Sequence, residues 1–557
     1  MWGFPLAGVI PGSNIYKDSK ACPLQSTLSD LLGPEADSWN RKLSSDRCTS
    51  PNDQEILAST REEQSQGKLS RDYSKAELDE WLGVGQWKAI RRRCIWQEGK
   101  QKFRNIDNAR TSGTNDAALL PDTIHTVPYD FPVHVVRAIR IGLGTPLCGD
   151  LEVGLTADDQ KDAYHSIPNM ESQKGLGVIA FANEHGTISF ALSYSHIFGL
   201  KAAVTNYNRV PELAIAVMRR CVGTLSWHFF DDIGTIACKK HGDLASSVAS
   251  KLFDLLGLPI NEKKHVPWSQ DALHLGVQVD LVRACSDVVC LRPKQGRVER
   301  MTIKVTEALS TRGASLQSGE AASLRGELTY TLCTSFDKVG KFGLRPLSDR
   351  QYNVDLGQWN SALEASLQFY KKVLPILPVR EISISTLDKP RCILYTDACW
   401  EYEEIPGDIR LLDAGLGAIF VNRNGVFRAF ASQLDPSWLP TLSPRKTQIA
   451  ACEAIAILDA VAQLSDQLID CELLIFCDNI AVVCALVKGA SSHFDIQRII
   501  SGIHVLLAKA RCKWWVEYVP TKVNPADSPS RDGMECPWCK ERGIAVEALL
   551  SYGRPDI

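Results

Sequence analysis

The run Trp227-His228-Phe229-Phe230-Asp231-Asp232-Ile233-Gly234 sets two adjacent carboxylates behind three aromatic side chains in a hairpin-like pattern. Burying paired carboxylates beside phenylalanine costs several kcal/mol unless a cation compensates. Asp231-Asp232 therefore needs either a metal ion or a turn open to water. Upstream, Thr156-Ala157-Asp158-Asp159-Gln160-Lys161-Asp162-Ala163-Tyr164-His165-Ser166-Ile167-Pro168 places further acids just after a predicted strand. Oxygen-only ligands with no neighbouring His or Cys cluster suit Mg2+ or Mn2+.

The surrounding chain fixes the class of molecule. A length of 557 residues exceeds one ordinary hydrophobic core and predicts three or four domains. Its 45% hydrophobic and 23% charged residues are those of a globular protein. No window approaches the roughly 18 uninterrupted apolar residues of a membrane span, and Met1-Trp2-Gly3-Phe4-Pro5 lacks the basic head of a signal peptide. The chain reads as intracellular, in cytoplasm or nucleus, with no membrane partner. Its 18 cysteines, Cys452, Cys477 and Cys484 among them, read as reduced thiols in apolar settings. A net charge of −3 leaves room for a local basic groove. Trp87 to Arg110 supplies one, with eight Lys or Arg against Glu98 and Asp107, interleaved with Trp87, Trp96 and Phe103.

The predicted architecture is multidomain, α+β and α/β. Residues 1–75 hold no period for long and read as a poorly ordered leader. Ser74-Lys75-Ala76-Glu77 fits a helix N-cap. Between about 150 and 282 short apolar runs alternate with helical patterns as an α+β unit, and 283–388 form a more helical connecting region, with amphipathic patterns over Ala308–Leu332 and Leu356–Leu374. From 389 to 532 the pattern predicts β-β-β-α-β-α-β, with turn residues Asn422-Arg423-Asn424-Gly425, a helix Thr447–Leu464 and strands Glu472–Cys477 and Lys513–Val519. Trp400–Asp413 reads as a surface loop, and 533–557 as a C-terminal tail.

Six segments of the first half resemble reverse transcriptases. Asp159-Gln160-Lys161-Asp162-Ala163-Tyr164 resembles their first palm motif, and Phe229-Phe230-Asp231-Asp232 their aromatic-x-Asp-Asp motif. Phe198-Gly199-Leu200-Lys201-Ala202-Ala203 is similar to the nucleotide-positioning motif, Gly257 to Lys264 to the lysine motif, and Leu273-His274-Leu275-Gly276 to the primer grip. Lys102-Phe103-Arg104 through Arg110 is similar to the fingers segment that holds the triphosphate. The order of motifs resembles retrotransposon polymerases, the DIRS-like group among them. The resemblance implies a right-hand polymerase with fingers and palm over 76–282 and thumb or connection over 283–388. It implies Asp159, Asp231 and Asp232 as ligands of two Mg2+ or Mn2+ ions and Lys263 as proton donor to the leaving pyrophosphate, with Lys264 as its neighbour. It implies Lys102, Arg104, Arg110, Tyr164, Gly199 and Lys201 as substrate-binding residues, Tyr164 lying under the sugar. Gln160, Phe229 and Val204-Thr205-Asn206-Tyr207 depart from the family pattern.

A second carboxylate series lies downstream: Tyr395-Thr396-Asp397-Ala398, Ala451-Cys452-Glu453-Ala454, Phe476-Cys477-Asp478-Asn479 and Asn524-Pro525-Ala526-Asp527-Ser528-Pro529-Ser530-Arg531. Glu453 sits in so apolar a run, Ile449 to Leu458, that its charge needs a reason. This order resembles the type 1 RNase H fold, a mixed-sheet domain, and the resemblance implies that Asp397, Glu453, Asp478 and Asp527 hold two Mg2+ or Mn2+ ions. Asn479 would donate to the RNA sugar. The implied partners are an RNA template, a DNA primer, an RNA–DNA hybrid and deoxynucleoside triphosphates. Cys536-Pro537-Trp538-Cys539 is a single CxxC and reads as a thiol pair rather than a zinc site. No pattern sets an oligomeric state. Three functions fit: a two-activity enzyme, a decayed or domesticated nucleic-acid binder, and a protein in which only the ribonuclease works.

Overall fold

The computed structural model describes residues 3–18, 24–45, 52–97, 101–335, 338–352, 359–377, 379–385, 391–405 and 408–555. The chain divides into two compact units, one of residues 1–136 and 147–275, the other of 137–146 and 276–557. Lys100 and Glu98 of the basic stretch lie outside the described residues.

In the first unit, helices α1 (Pro34–Ser45) and α2 (Asp53–Ser65) occupy much of the region expected to be an unordered leader. Few apolar residues there suffice: Ile56 of α2, and Leu31 in the short helical turn Leu28–Leu31 ahead of α1, pack with Leu6, Ile90, Ile179 and Phe181. Strands β1 (Ile90–Gln97) and β2 (Lys102–Asp107) form an antiparallel hairpin, to which β4 (Val178–Ala182) adds in parallel and β5 (Ile188–Leu192) antiparallel to β4. The expected cap at Ser74 is present as a capping box with Glu77.

A second sheet in this unit has the order β6–β7–β3–β8, from Leu225–Phe229, Asp232–Cys238, Val153–Asp159 and Val266–Ser269. Every residue of β3 except Asp159 is buried, because helices α3 (Lys201–Val217) and α4 (Gly242–Leu255) pack on the sheet. Antiparallel register puts Asp232 opposite Asp159 and Ile233 opposite Asp158.

The second unit contains a helical core in which Met301 and Val305 of α5 (Arg297–Ser310) meet Leu324 and Leu328 of α6 (Ser318–Leu332) and Leu367 and Tyr370 of α7 (Ser361–Val373). The amphipathic pattern read as continuous from Ala308 is broken between α5 and α6. Arg312 and Gly313, with φ of 47° and 80°, turn the chain there.

Besides a smaller antiparallel sheet that pairs Val277–Asp280 with Val288–Pro293 and the latter with Arg380–Ser383, this unit holds a six-stranded mixed sheet of order β13–β12–β9–β10–β11–β14. The strands are β9 (Arg391–Ala398), β10 (Gly415–Val421), β11 (Phe427–Gln433), β12 (Glu472–Cys477), β13 (Lys513–Tyr518) and β14 (Val546–Ala548). Helices α8 (Ile449–Gln463), α9 (Ile480–Lys488) and α10 (Phe494–Lys509) follow the β-β-β-α-β-α-β succession, with a helix pair before the last strand of that series. The short helix α11 spans Asp527–Asp532. Asn422 Oδ1 accepts from the amides of Asn424 and Val426, closing the β10–β11 turn.

Two expectations are corrected here. The segment read as a loop, Trp400–Asp413, carries an antiparallel hairpin of Glu401–Ile405 and Asp408–Asp413. Residues 533–557, read as a tail, belong to the domain: β14 pairs with β11, and Cys536 and Cys539 are buried against Ile419 and Ala429. Tyr552 donates its amide to Asp459 Oδ1 at 2.9 Å and Leu550 donates to Gln463 Oε1 at 2.9 Å, which ties the chain end to α8.

Candidate active sites

The first cluster is made by strand pairing. Asp159 ends β3, Asp232 opens β7, and Phe230-Asp231 forms the turn between β6 and β7. Phe230 has a φ of 53°, a region bulky residues rarely adopt. The turn is fixed by the Gln160 amide, which donates to the Asp231 carbonyl at 2.8 Å. Burial raises the Asp231 carboxyl above the ordinary carboxylate range, and nearby Asp159 raises it further, while Lys264 and Arg104 oppose the shift.

The three acids of the Asp158–Asp162 stretch have three different partners. Successive strand residues face opposite sides, so Asp158 turns inward and accepts from His265 Nδ1 at 2.7 Å. Asp159 faces the cluster, where Lys264 Nζ lies 2.6 and 2.7 Å from its two oxygens. Asp162 pairs with Lys68 at 2.7 Å. Of the two lysines in the motif, the structure brings Lys264 rather than Lys263 to Asp159; Lys263 is exposed on the same turn. Sequence reading missed the Asp158–His265 pair, and the adjacent Lys264-His265 dipeptide was the signal for it.

Arg104 lies over the Phe198 ring at 4.1 Å. Tyr164 packs against Phe198 and Tyr207, with ring centroids 5.6 and 5.4 Å apart. The unusual Gln160 is buried and accepts from the Tyr207 hydroxyl, so the two departures from the family pattern, Gln160 and Tyr207, satisfy one another. Gly199 is a packing residue: at its φ of 126°, a Cβ would stand 2.0 Å from the Asp107 carbonyl. Lys201 begins α3, its amide donating to Asn115 Oδ1 at 2.8 Å. Lys102, Arg104 and Arg110 are exposed, as is Arg93. Arg92 is not part of any solvated basic face. It is buried, with Nε 2.8 Å from Asp107 and Nη1 2.7 Å from Glu63.

The second cluster lies at one end of β9 and β12. Their parallel register sets Thr396 beside Cys477, so the next residues, Asp397 and Asp478, come side by side where β12 ends, Asp397 still pairing with Gly417 of β10. Glu453 comes from α8, whose residues Ala451 through Val461 are all buried. Asp527 opens α11, which sits directly on β10: a Cβ on Gly415 would stand 1.9 Å from the Ser530 carbonyl, and one on Gly417 2.5 Å from the Ser530 nitrogen. Only glycine at these two strand positions lets the short helix approach that closely.

Each acid is held. Ser530 Oγ donates to Asp397 Oδ2, and Asn524 Nδ2 to Asp397 Oδ1 at 3.3 Å. Thr521 Oγ1 donates to Asp478 at 2.6 Å, and Arg531 Nε to Asp527 at 2.9 Å. Asn479 caps α9, its Oδ1 accepting from the amides of Ala481 and Val482. Burial pushes the Asp397 carboxyl up to about 7, with Asp478 and Asp527 adding to the shift against the Ser530 hydrogen bond. Glu453 is driven well above the carboxylate range by burial, then by Asp397 and Asp478. Ser530 and Asn524 were legible in the segment quoted around Asp527, but nothing in their spacing tied them to Asp397, 127 residues or more away.

No helix among the described residues is long and apolar enough to cross a membrane. No protein-family model matches the chain, and no curated protein matches it. Among solved structures it is similar to a foamy viral protease-reverse transcriptase in complex with double-stranded DNA, at 11% identity and a TM-score of 0.40, over 93% of this chain and 75% of that one. It is also similar to a foamy viral protease-reverse transcriptase in complex with an RNA/DNA hybrid, at 10% identity and a TM-score of 0.39, over 85% of this chain and 75% of that one. Function therefore has to be argued from the residues themselves.

Proposed function

We propose that the chain is an RNA-directed DNA polymerase joined to a ribonuclease H, of the retrotransposon kind, acting in cytoplasm or nucleus. The observation that carries this reading is the presence of two separate carboxylate clusters: Asp159, Asp231 and Asp232 in one unit, and Asp397, Glu453, Asp478 and Asp527 in the other. On this reading residues 76–282 are fingers and palm, 283–388 thumb or connection, and the ribonuclease domain runs from 389 past 532 to Leu549.

Both donor sets suit Mg2+ or Mn2+, two ions per site. Their carboxylates are crowded and, at Asp231, Asp397 and Glu453, resist ionisation without a compensating cation. Ions held there would polarise the attacking hydroxyl or water and neutralise charge on the transferring phosphoryl group.

The chain's own contribution is positioning. Arg104, held flat on Phe198, presents a two-pronged donor to triphosphate oxygens, a geometry lysine lacks. Lys102 and Arg110 add charge nearby. Tyr164, packed between Phe198 and Tyr207, offers a fixed ring beneath the sugar that would collide with a 2′-hydroxyl. Lys264 takes the proton-donor role expected of Lys263, because its ammonium is the one beside Asp159. Gly199 and Lys201 act through the loop that seats Phe198. In the ribonuclease site, Ser530 and Asn524 fix Asp397, Thr521 fixes Asp478, and the side-chain nitrogen Nδ2 of Asn479 would donate to a 2′-hydroxyl. Hybrid shape rather than base identity would select the strand.

The test is extension of a DNA primer on an RNA template with Mg2+ or Mn2+, both strands labelled. Deoxynucleotide-dependent extension with template cleavage is expected. Binding with neither activity would replace this reading with a nucleic-acid binder, and cleavage alone would leave only the ribonuclease.

A further inference from the structure

Among the described residues, one group of potential metal ligands has all its donor atoms within 4.8 Å of one another: Glu453, Cys477 and Asp478. The thiol is the member that a hard-cation site does not require. Cys477 ends β12 and is fully buried, with Sγ donating to Glu453 Oε2 at 3.7 Å. The Asn479 amide donates to the same sulfur at 3.4 Å. Burial and the neighbouring Glu453 hold the Cys477 sulfur as a thiol against the pull of that N–H, so a cation bound there displaces the proton, because cysteine ligates metals as the thiolate. Oxygen-only carboxylate sites favour Mg2+ and Mn2+, whereas a thiolate added to two carboxylates favours softer ions.

We propose that Glu453, Cys477 and Asp478 form a binding site for a thiophilic divalent cation, Zn2+ or Cd2+, whose occupation shuts off the ribonuclease site. The ion takes one sulfur and two carboxylate oxygens and leaves a position for water, a donor number that suits zinc. Binding replaces the S–H bond with a metal–sulfur bond and releases to solvent the thiol proton together with the proton that Glu453 holds in the empty site, with no change of oxidation state. Glu453 and Asp478 are thereby withdrawn from the Mg2+ set. The inference rests on reading this cluster as a divalent-cation site.

The test is titration of the reduced full chain with Cd2+, followed by the ultraviolet thiolate-to-Cd2+ charge-transfer band, for wild type, Cys477→Ser, Cys477→Ala and Glu453→Gln. Wild type is expected to show one more thiolate-bound Cd2+ than either Cys477 variant. Glu453→Gln keeps the thiol but should weaken that step by roughly tenfold or more. Hybrid cleavage in Mg2+ should be inhibited as this step fills, and the inhibition should be lost with Cys477→Ser. Equal Cd2+ stoichiometry and affinity in wild type and both Cys477 variants would overturn the proposal. If either Cys477 variant fails to fold, by circular dichroism, Glu453→Gln decides: an unweakened step refutes the site. The band is read without nucleic acid, so a chain that binds Cd2+ through Cys477 but cleaves no hybrid refutes the ribonuclease reading and leaves this site standing.

Discussion

Lys264 and Asp459 show how single charges set measurable behaviour. The Lys264–Asp159 pair joins a half-exposed lysine to a nearly buried acid. Solvent screening limits such a pair to about 1 kcal/mol or less. If a divalent ion must displace this ammonium, Lys264→Met should lower the Mn2+ concentration needed for half-maximal binding by roughly two- to fivefold, read by Mn2+ titration, while Lys263→Met leaves that midpoint in place. Asp459 is buried in α8, and burial pushes its carboxyl up to about 7. A carboxyl raised in the folded state keeps a proton that the unfolded chain has already released, so it subtracts stability as pH climbs from about 4 to about 7. At about 1.4 kcal/mol per unit this amounts to a few kcal/mol. Asp459→Asn retains the acceptor for the Tyr552 amide but cannot ionise. Its melting temperature should match wild type near pH 4 and exceed it increasingly toward pH 8.

At the scale of elements, the second acid cluster depends on close approaches that leave no room for a side chain. Gly417→Ala places a methyl 2.5 Å from the Ser530 nitrogen and 2.7 Å from the Ala526 carbonyl. Backbone cannot yield as a side chain can, so α11 should shift and carry Asp527 with it. Hybrid cleavage should fall by an order of magnitude or more, while primer extension by the same protein is retained. The end of the chain is equally structural. Strand β14 covers the edge of β11, and the Tyr552 and Leu550 amides tie the chain to α8. Truncation after Asp532 removes Cys536 and Cys539 and bares both that edge and the apolar surface of Ile419 and Ala429 that they cover, and exposed edges pair with other chains. The truncated protein should aggregate, as light scattering would show, in contrast to the full chain.

At the scale of the whole molecule, two sites in two compact units predict separable activities. Asp231→Asn should abolish DNA synthesis and spare hybrid cleavage, and Asp478→Asn should do the reverse, with both proteins folded by circular dichroism. Loss of both activities from either substitution would defeat the two-site division. Exposed Arg93, Lys102, Arg104 and Arg110 on and beside the β1–β2 hairpin predict primer–template affinity that falls steeply with salt, since phosphate contact releases counterions.

The sequence by itself determined the positions of the acids and most of the strands. Glu472–Cys477 runs over the residues its apolar pattern predicts, and the placing of Glu453 in an unbroken apolar run marked it as unusual before any contact was known. Local order carries such signals because strand and helix periods are written in neighbouring residues. What the tertiary structure decided are relations between distant segments. The choice of Lys264 over Lys263, the pairing of Gln160 with Tyr207, the seating of α11 on Gly415 and Gly417, and the thiol of Cys477 against Glu453 each join residues far apart in the chain or indistinguishable within it. The described part of the region taken for a leader folds for the same reason: a few apolar side chains such as Leu31 and Ile56 suffice once a core exists to receive them, and that core draws in part on residues more than a hundred positions away, such as Ile179 and Phe181.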